Sequence, residues 1–262
     1  MLGYGVPALV SVVPDTFTFA WVVAILFAAS WVLDARGLSV GRTLAAATWV
    51  LFGLFWLSTV PYFVFEHQSY VESLLALVGF PVSAYAGYLL YDGRASLFTL
   101  TRAVSIMFLI YLPFETIPAV TLGGIAFPEP RRVLIEAVAT QTGALIDLLG
   151  YAPERVTSSE GYDAAYAWAL ADGHTVTIHV VLACTGLGSM AIFGGLVAAV
   201  DAPLSRKLRA LAVSVPLIYG LNILRTTFIS VVAGNQYMHW YPDLVLAMFG
   251  ATNPYRVSFL VS

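Results

Sequence analysis

The apolar residues of this chain come in long continuous runs and not in alternation. Runs at about 16–33, 43–64, 70–91, 97–113, 180–200 and 210–233 each approach or exceed the roughly 20 residues that cross a bilayer as a helix. Continuous runs of this kind predict helices, which satisfy every backbone group internally, and not the alternating strands of a membrane barrel. Another apolar stretch starts at Leu244, breaks at Asn253-Pro254 and is still open at Ser262, as if the chain stopped within a further helix. The expected fold is all-α: a polytopic transmembrane helical bundle of about 6–8 membrane helices with an external loop region.

The pattern fails between the fourth and fifth runs. Glu115, Pro118, Gly123-Gly124, Pro128 and Pro130 break any helix there. Residues 135–149 are amphipathic, interrupted by Glu136, Thr140, Gln141 and Asp147, and predict an interfacial or re-entrant helix. If residues 133–149 did span, the side of everything after them would invert. Residues 152–174 are polar enough for a true loop. Thr175-Val-Thr-Ile-His179 alternates and is β-branched, so a short extended piece should lead into the next helix.

Charge orients the spans. Arg36, Arg42, Arg94 and the cluster Arg206, Lys207, Arg209 mark cytoplasmic loops, whereas the loop at Glu66 carries no lysine or arginine. The amino terminus and the aromatic loop 234–242 then lie outside. Arg131-Arg132 would also lie outside, against the rule. The first fifteen residues lack a basic start, so no cleavable signal peptide is expected.

Composition agrees. The chain is 60% hydrophobic and only 10% charged, where a soluble domain carries about 25% charged residues. The net charge of −3 says little about partners, and no nucleic-acid partner is expected. A single cysteine excludes an internal disulfide and any multi-cysteine metal site, and its spacing from the histidines matches no familiar metal pattern; no metal and no cofactor are expected.

That cysteine, Cys184, opens the fifth run. Cys184, Gly188, Ala191 and Gly195 make a small-residue stripe that turns Cys184 toward protein. Taken alone, the stripe is ordinary helix packing and the cysteine an ordinary small buried residue. Backbone N–H groups at Thr185 and Gly186 could face a developing oxyanion. Arg225 is the sharper feature, because a guanidinium inside a membrane helix costs about 2.5 kcal/mol or more without water or a partner. Asn222, Arg225 and Thr226 share one helical face, with Ser230 near its edge. The structural reading of Arg225 is a salt bridge to Glu115 or Asp147. Counted along ideal helices from the outer ends, Cys184 and Arg225 lie about 6 and 12 Å deep. A cation near a thiol lowers its pKa, whereas apolar burial raises it. His239, among Tyr237, Trp240 and Tyr241, is an interfacial aromatic-belt histidine or the base that activates the thiol. His179 is its rival, and His67 and His174 have no supporting context.

Ala183-Cys-Thr-Gly-Leu-Gly-Ser189, followed by Asn222-Ile-Leu-Arg225 and Met238-His-Trp-Tyr-Pro242, resembles the exosortase/archaeosortase family. The resemblance covers about residues 175–257 well, and the multi-span architecture overall. It implies a membrane cysteine transpeptidase acting on surface or secreted proteins with a C-terminal sorting signal: a short motif (Pro-Gly-Phe in the archaeal case), a transmembrane helix and a basic tail. The new C-terminus would pass to a membrane lipid. Cys184 then carries over as nucleophile and Arg225 as transition-state stabiliser. Family members use a histidine or a second arginine late in the chain, for which His239 and Arg256 are the candidates. A counterpart beyond Ser262 in related proteins would have no match in this chain. Asn222, Thr185, Gly186 and Arg256 are the substrate-binding candidates.

The expected organisation is one integral membrane domain over 1–262: N-terminal spans at 16–113, an interfacial and external region at 114–179, and catalytic spans at 180–262. The expected location is the cell membrane, with the site toward the external face. Three competing readings use the same residues differently. They are an intramembrane cysteine protease with water as acceptor, a transporter or channel with Arg225 as an anion site, and a non-catalytic scaffold, which has no use for a deep arginine.

Overall fold

The computed structural model describes residues 16–66, 69–94 and 96–262. The absence of a signal peptide and the reading of His67 fall outside the described residues. The chain forms two compact units, one of residues up to Leu112 with Ala198–Val200, the other of Pro113–Val197 with Asp201–Ser262.

The first unit is helical. α1 (Thr16–Ala35), α2 (Val40–Pro61) and α3 (Tyr70–Tyr91) are followed by α4 (Ser96–Thr116), which begins in this unit. α2 runs on through a π-helical turn at Tyr62–Glu66, where Pro61 withdraws a backbone donor from the regular ladder. On α1 the buried residues Ala20, Val23, Ala24 and Phe27 recur at helical spacing and pack with Ala45, Ala46, Trp49 and Phe52 of α2. Edge-to-face rings tie the layer together: Phe27 to Trp49 at 5.3 Å and Phe52 to Phe108 of α4 at 5.7 Å. The Trp49 indole finds its acceptor in Thr101 Oγ1 at 2.9 Å, so the one polar atom of that ring is satisfied within the apolar layer.

The second unit is where the sequence pattern was least regular. After α4, β1 (Val120–Leu122) and β2 (Ile125–Phe127) pair antiparallel across Gly123-Gly124. Both glycines have positive φ, +59° and +84°, as a two-residue hairpin turn requires. α5 (Pro130–Leu148) is the amphipathic helix, with Ile135, Val138, Ala139, Thr142 and Ile146 on its buried face. It is absent from the helices apolar enough to cross a membrane.

The supposed loop 152–174 holds most of a sheet. β3 (Glu154–Val156), β4 (Ala165–Ala169) and β5 (Thr175–His179) form a three-stranded antiparallel sheet in that order. Its buried face carries Tyr166 and Trp168 of β4 with Ile178 of β5. The Tyr166 hydroxyl donates to the Ala139 carbonyl of α5, and burial pushes its pKa up to about 12. β5 thus confirms the extended piece, but as the edge of a folded sheet.

The next run also starts later than its composition suggests. Val180 and Val181 remain extended, Leu182–Thr185 make a 3-10 turn, and α6 covers only Leu187–Ala199. α7 (Leu204–Gly234) is 31 residues long, about 46 Å at 1.5 Å per residue, and takes Arg206, Lys207 and Arg209 into its first turns. Trp168 lies against Gly234 at the far end of α7, which seats the sheet over that end of the helix. Short helices α8 (Pro242–Met248) and α9 (Val257–Val261) flank a 3-10 turn at Pro254–Arg256. Five described helices are long and apolar enough to cross a membrane, α1, α2 with its π turn, α3, α4 and α7, and α6 is a shorter apolar one. The protein is an all-α polytopic bundle with a small sheet set into its second unit.

Candidate active site

β5 ends at His179, five residues before Cys184. The 3-10 turn that follows is closed by the Cys184 N–H donating to the Val181 carbonyl at 2.8 Å. Thr185 stabilises the same turn with its side chain. Its hydroxyl donates to the Leu182 carbonyl at 2.7 Å and accepts from the Leu187 N–H at 3.3 Å, and the residue is fully buried. Gly186 then takes φ +75°, a left-handed conformation that turns the chain into α6. Cys184 is therefore not on the membrane helix at all. It sits half-buried in the turn between the sheet and α6.

α7 holds this turn from the side. The Asn222 amide and the Thr226 hydroxyl both donate to the Cys184 carbonyl, the second at 3.2 Å. A Cβ on Gly186 would stand 3.1 Å from Asn222, so the left-handed glycine is also what lets α7 approach. Asn222 and Thr226 are one helical turn apart, and Arg225 lies between them on that face. Burial pushes the Cys184 thiol up, while the Val181 backbone and the Arg225 charge pull it down. Arg225 is exposed and makes no hydrogen bond or ion pair among the described residues. Neither Glu115 nor Asp147 is its partner: Glu115 pairs with Arg131 at 3.1 Å, and Arg131 also holds Glu160 at 2.6 Å.

The other candidates lie elsewhere in the second unit. His239 is exposed on the loop between α7 and α8, with no hydrogen bond or ion pair among the described residues. The ring of His179 accepts from the Ser159 N–H at 3.4 Å. Arg256 ends the 3-10 turn Pro254–Arg256, exposed, beside Tyr255. Tyr255 donates to Asp172 at 2.8 Å and meets His174 at 3.1 Å, which ties that turn to the β4–β5 hairpin. His174, without context in the sequence, thus belongs to a surface cluster at the hairpin tip. Among the described residues no group of three or more histidine, cysteine or acidic side chains could hold a metal ion.

The arrangement offers a thiol in a rigid turn, its own carbonyl held by two donors, and an unpaired guanidinium on the helix that holds it. The clamp was not legible in the sequence, where Asn222 read as a substrate contact. The signal available was only that Asn222 and Thr226 share the face of Arg225.

Comparisons with known proteins place the chain in a family. The chain matches the transmembrane exosortase family (Exosortase_EpsH) over residues 13–255. It is 54% identical over 243 residues to "Archaeosortase A" of Haloferax volcanii, covering 93% of this chain and 80% of that protein. It is 41% identical over 258 residues to "Archaeosortase A" of Natronomonas pharaonis, covering 96% of this chain and 78% of that one. No solved structure matches it. With most of its length matched by the family and by two archaeosortases, the chain belongs to the transmembrane exosortase family.

Proposed function

We propose that the protein is a membrane cysteine transpeptidase that processes surface or secreted proteins at a C-terminal sorting signal. Cys184 Sγ, as thiolate, attacks the carbonyl carbon of the bond to be cut. Arg225 holds the oxyanion that develops, with two N–H donors of its planar fork. The C–N bond breaks, the leaving amine takes up a proton, and a thioester remains on Cys184. An amine-bearing membrane lipid then attacks the thioester, and the thiolate departs. His239 is the proposed base for the thiol, its ring free of other hydrogen bonds among the described residues. Arg256 is the proposed second arginine at the substrate. Thr185, Gly186 and Asn222 are proposed to shape the nucleophile's turn.

The observation that carries this reading is the Cys184 turn clamped onto the helix face of an unpaired Arg225. Fixing a nucleophile's backbone beside an uncommitted cation is a cost without return in a packing cysteine. The site is proposed to face the exterior, because the basic cluster Arg206, Lys207, Arg209 opens α7 and the clamp lies toward its other end.

The test is the fate of a surface protein bearing a Pro-Gly-Phe motif and C-terminal helix. In cells with Cys184→Ala, mass spectrometry should find that helix still attached, and with the unaltered enzyme a lipid-modified new C-terminus. A free carboxylate at the new C-terminus would make the enzyme a hydrolase. Normal processing by Cys184→Ala would end the reading.

A further inference from the structure

The sheet that delivers Cys184 has two edges, and they differ. β3 is short, follows Pro153, and carries Glu154 and Arg155, features that discourage pairing with another chain. β5 reads Thr175-Val-Thr-Ile-His179, with no charged side chain and no proline, and is rich in β-branched residues. The bonding parity of β5 follows from its ends. His174 accepts from Leu170 at 2.8 Å and Val180 donates to Ala164 at 2.8 Å, both in the β4–β5 register. The even-numbered residues therefore spend their main-chain groups on β4, and Thr175, Thr177 and His179 direct theirs outward. Those three residues are exposed, and no described residue bonds to their main chain. Gly234, at the end of α7, lies under the buried face of the sheet against Trp168.

We infer that the outward edge of β5 is the docking strand for the substrate, which adds its extended main chain beside Thr175–His179. This rests on the proposed role of Cys184. β5 runs toward the nucleophile, so a chain paired parallel to it arrives at Cys184 with its carboxyl end, as the acyl side of the cut bond must. From His179 to Cys184 the backbone advances about 12 Å, two extended steps and a 3-10 turn. The paired segment therefore ends about four residues before the cut bond. Main-chain bonds supply the affinity, so a set of substrates with different sequences upstream of the signal can share one site. The occupant is the substrate peptide and not a second copy of this chain, because pairing at this edge lines the bound chain up with Cys184.

The test uses the full chain with Cys184→Ala in detergent and a short fluorescent peptide ending in Pro-Gly-Phe. Single N-methylation is walked along the peptide upstream of that motif. Alternate amides should each weaken binding roughly fivefold, the value of one lost hydrogen bond, and the amides between them should not. Thr177→Pro removes an outward donor without touching the ladder to β4, and should weaken binding by a similar factor, whereas Thr177→Val should bind normally. Methylation effects without period two, or equal binding by the proline and valine variants, would overturn the inference. So would a Thr177→Pro change that only converts a dimer to a monomer, which would assign the edge to a second copy. Loss of alternation while Cys184→Ala still abolishes cleavage sinks the edge alone; alternation with cleavage intact in Cys184→Ala supports the edge and removes the nucleophile.

Discussion

Cys184 and Arg225 are the two residues at the centre of the proposed site. Both stood out in the sequence because each is chemically out of place in apolar surroundings. Their relation did not, since they lie 41 positions apart in the chain and only the fold brings α7 to the 3-10 turn. The role proposed for Arg225 needs the fork and not only the charge. Arg225→Lys should therefore cut turnover at least tenfold while the protein still accumulates in the membrane; turnover by lysine equal to that by arginine would leave Arg225 a purely electrostatic role. The pH dependence follows from the directions at Cys184. Burial raises the thiol above its free value of about 8.5, so the thiolate is lost as pH falls and gained as pH rises. Alkylation of Cys184 by iodoacetamide should accelerate with pH through a midpoint above that of a free thiol. Arg225→Gln removes an opposing charge and should move that midpoint higher still; an unmoved midpoint would mean that Arg225 does not act on the thiol. Gly186→Ala places a side chain at φ +75° and 3.1 Å from Asn222. Thermal unfolding in detergent should show a loss of about 1–2 kcal/mol, and an unchanged transition would mean that the turn is not held as described.

The elements were legible in proportion to the length of their pattern. Four N-terminal spans and α7 have runs that leave little choice, and their ends differ by a few residues, as where α2 runs on into the π turn to Glu66 and where the basic cluster joins the start of α7. The sheet was missed because its strands are short and because β4, Ala165-Tyr-Ala-Trp-Ala169, alternates small with aromatic residues instead of polar with apolar. Its alternation is real: Tyr166 and Trp168 point to α5 and α7, and the alanines fill the other face. α6 was read too long because Val180 to Ala183 is as apolar as the helix itself, and only the left-handed Gly186 separates turn from helix. Trp168 couples the sheet to the end of α7. Trp168→Ala should cost about 3–5 kcal/mol, as large-to-small changes in a packed layer do. It should also lower turnover and substrate binding together, since β4 carries β5 and β5 carries both the proposed docking edge and the Cys184 turn. A variant as stable as the parent would show that the sheet is seated by other contacts.

At the scale of the whole molecule, the account needs the substrate's cut bond, the thiol and the guanidinium on the outer side of one membrane. The positive residues at Arg36–Arg42, Arg94 and Arg206–Arg209 are the basis for the proposal that the opposite loops lie outside. On a Cys184→Ala background, a membrane-impermeant thiol reagent should label Gln236→Cys from outside and leave Lys207→Cys untouched. The reverse pattern would put the site on the wrong face for secreted substrates. The central claim, that Cys184 carries the substrate as a thioester, is tested most directly by interception. Hydroxylamine added to membranes during turnover should release the surface protein with a C-terminal hydroxamate, read by mass spectrometry, and Cys184→Ala membranes should release none. Processing that continues under hydroxylamine with no hydroxamate formed, or hydroxamate formed equally by Cys184→Ala, would contradict the account.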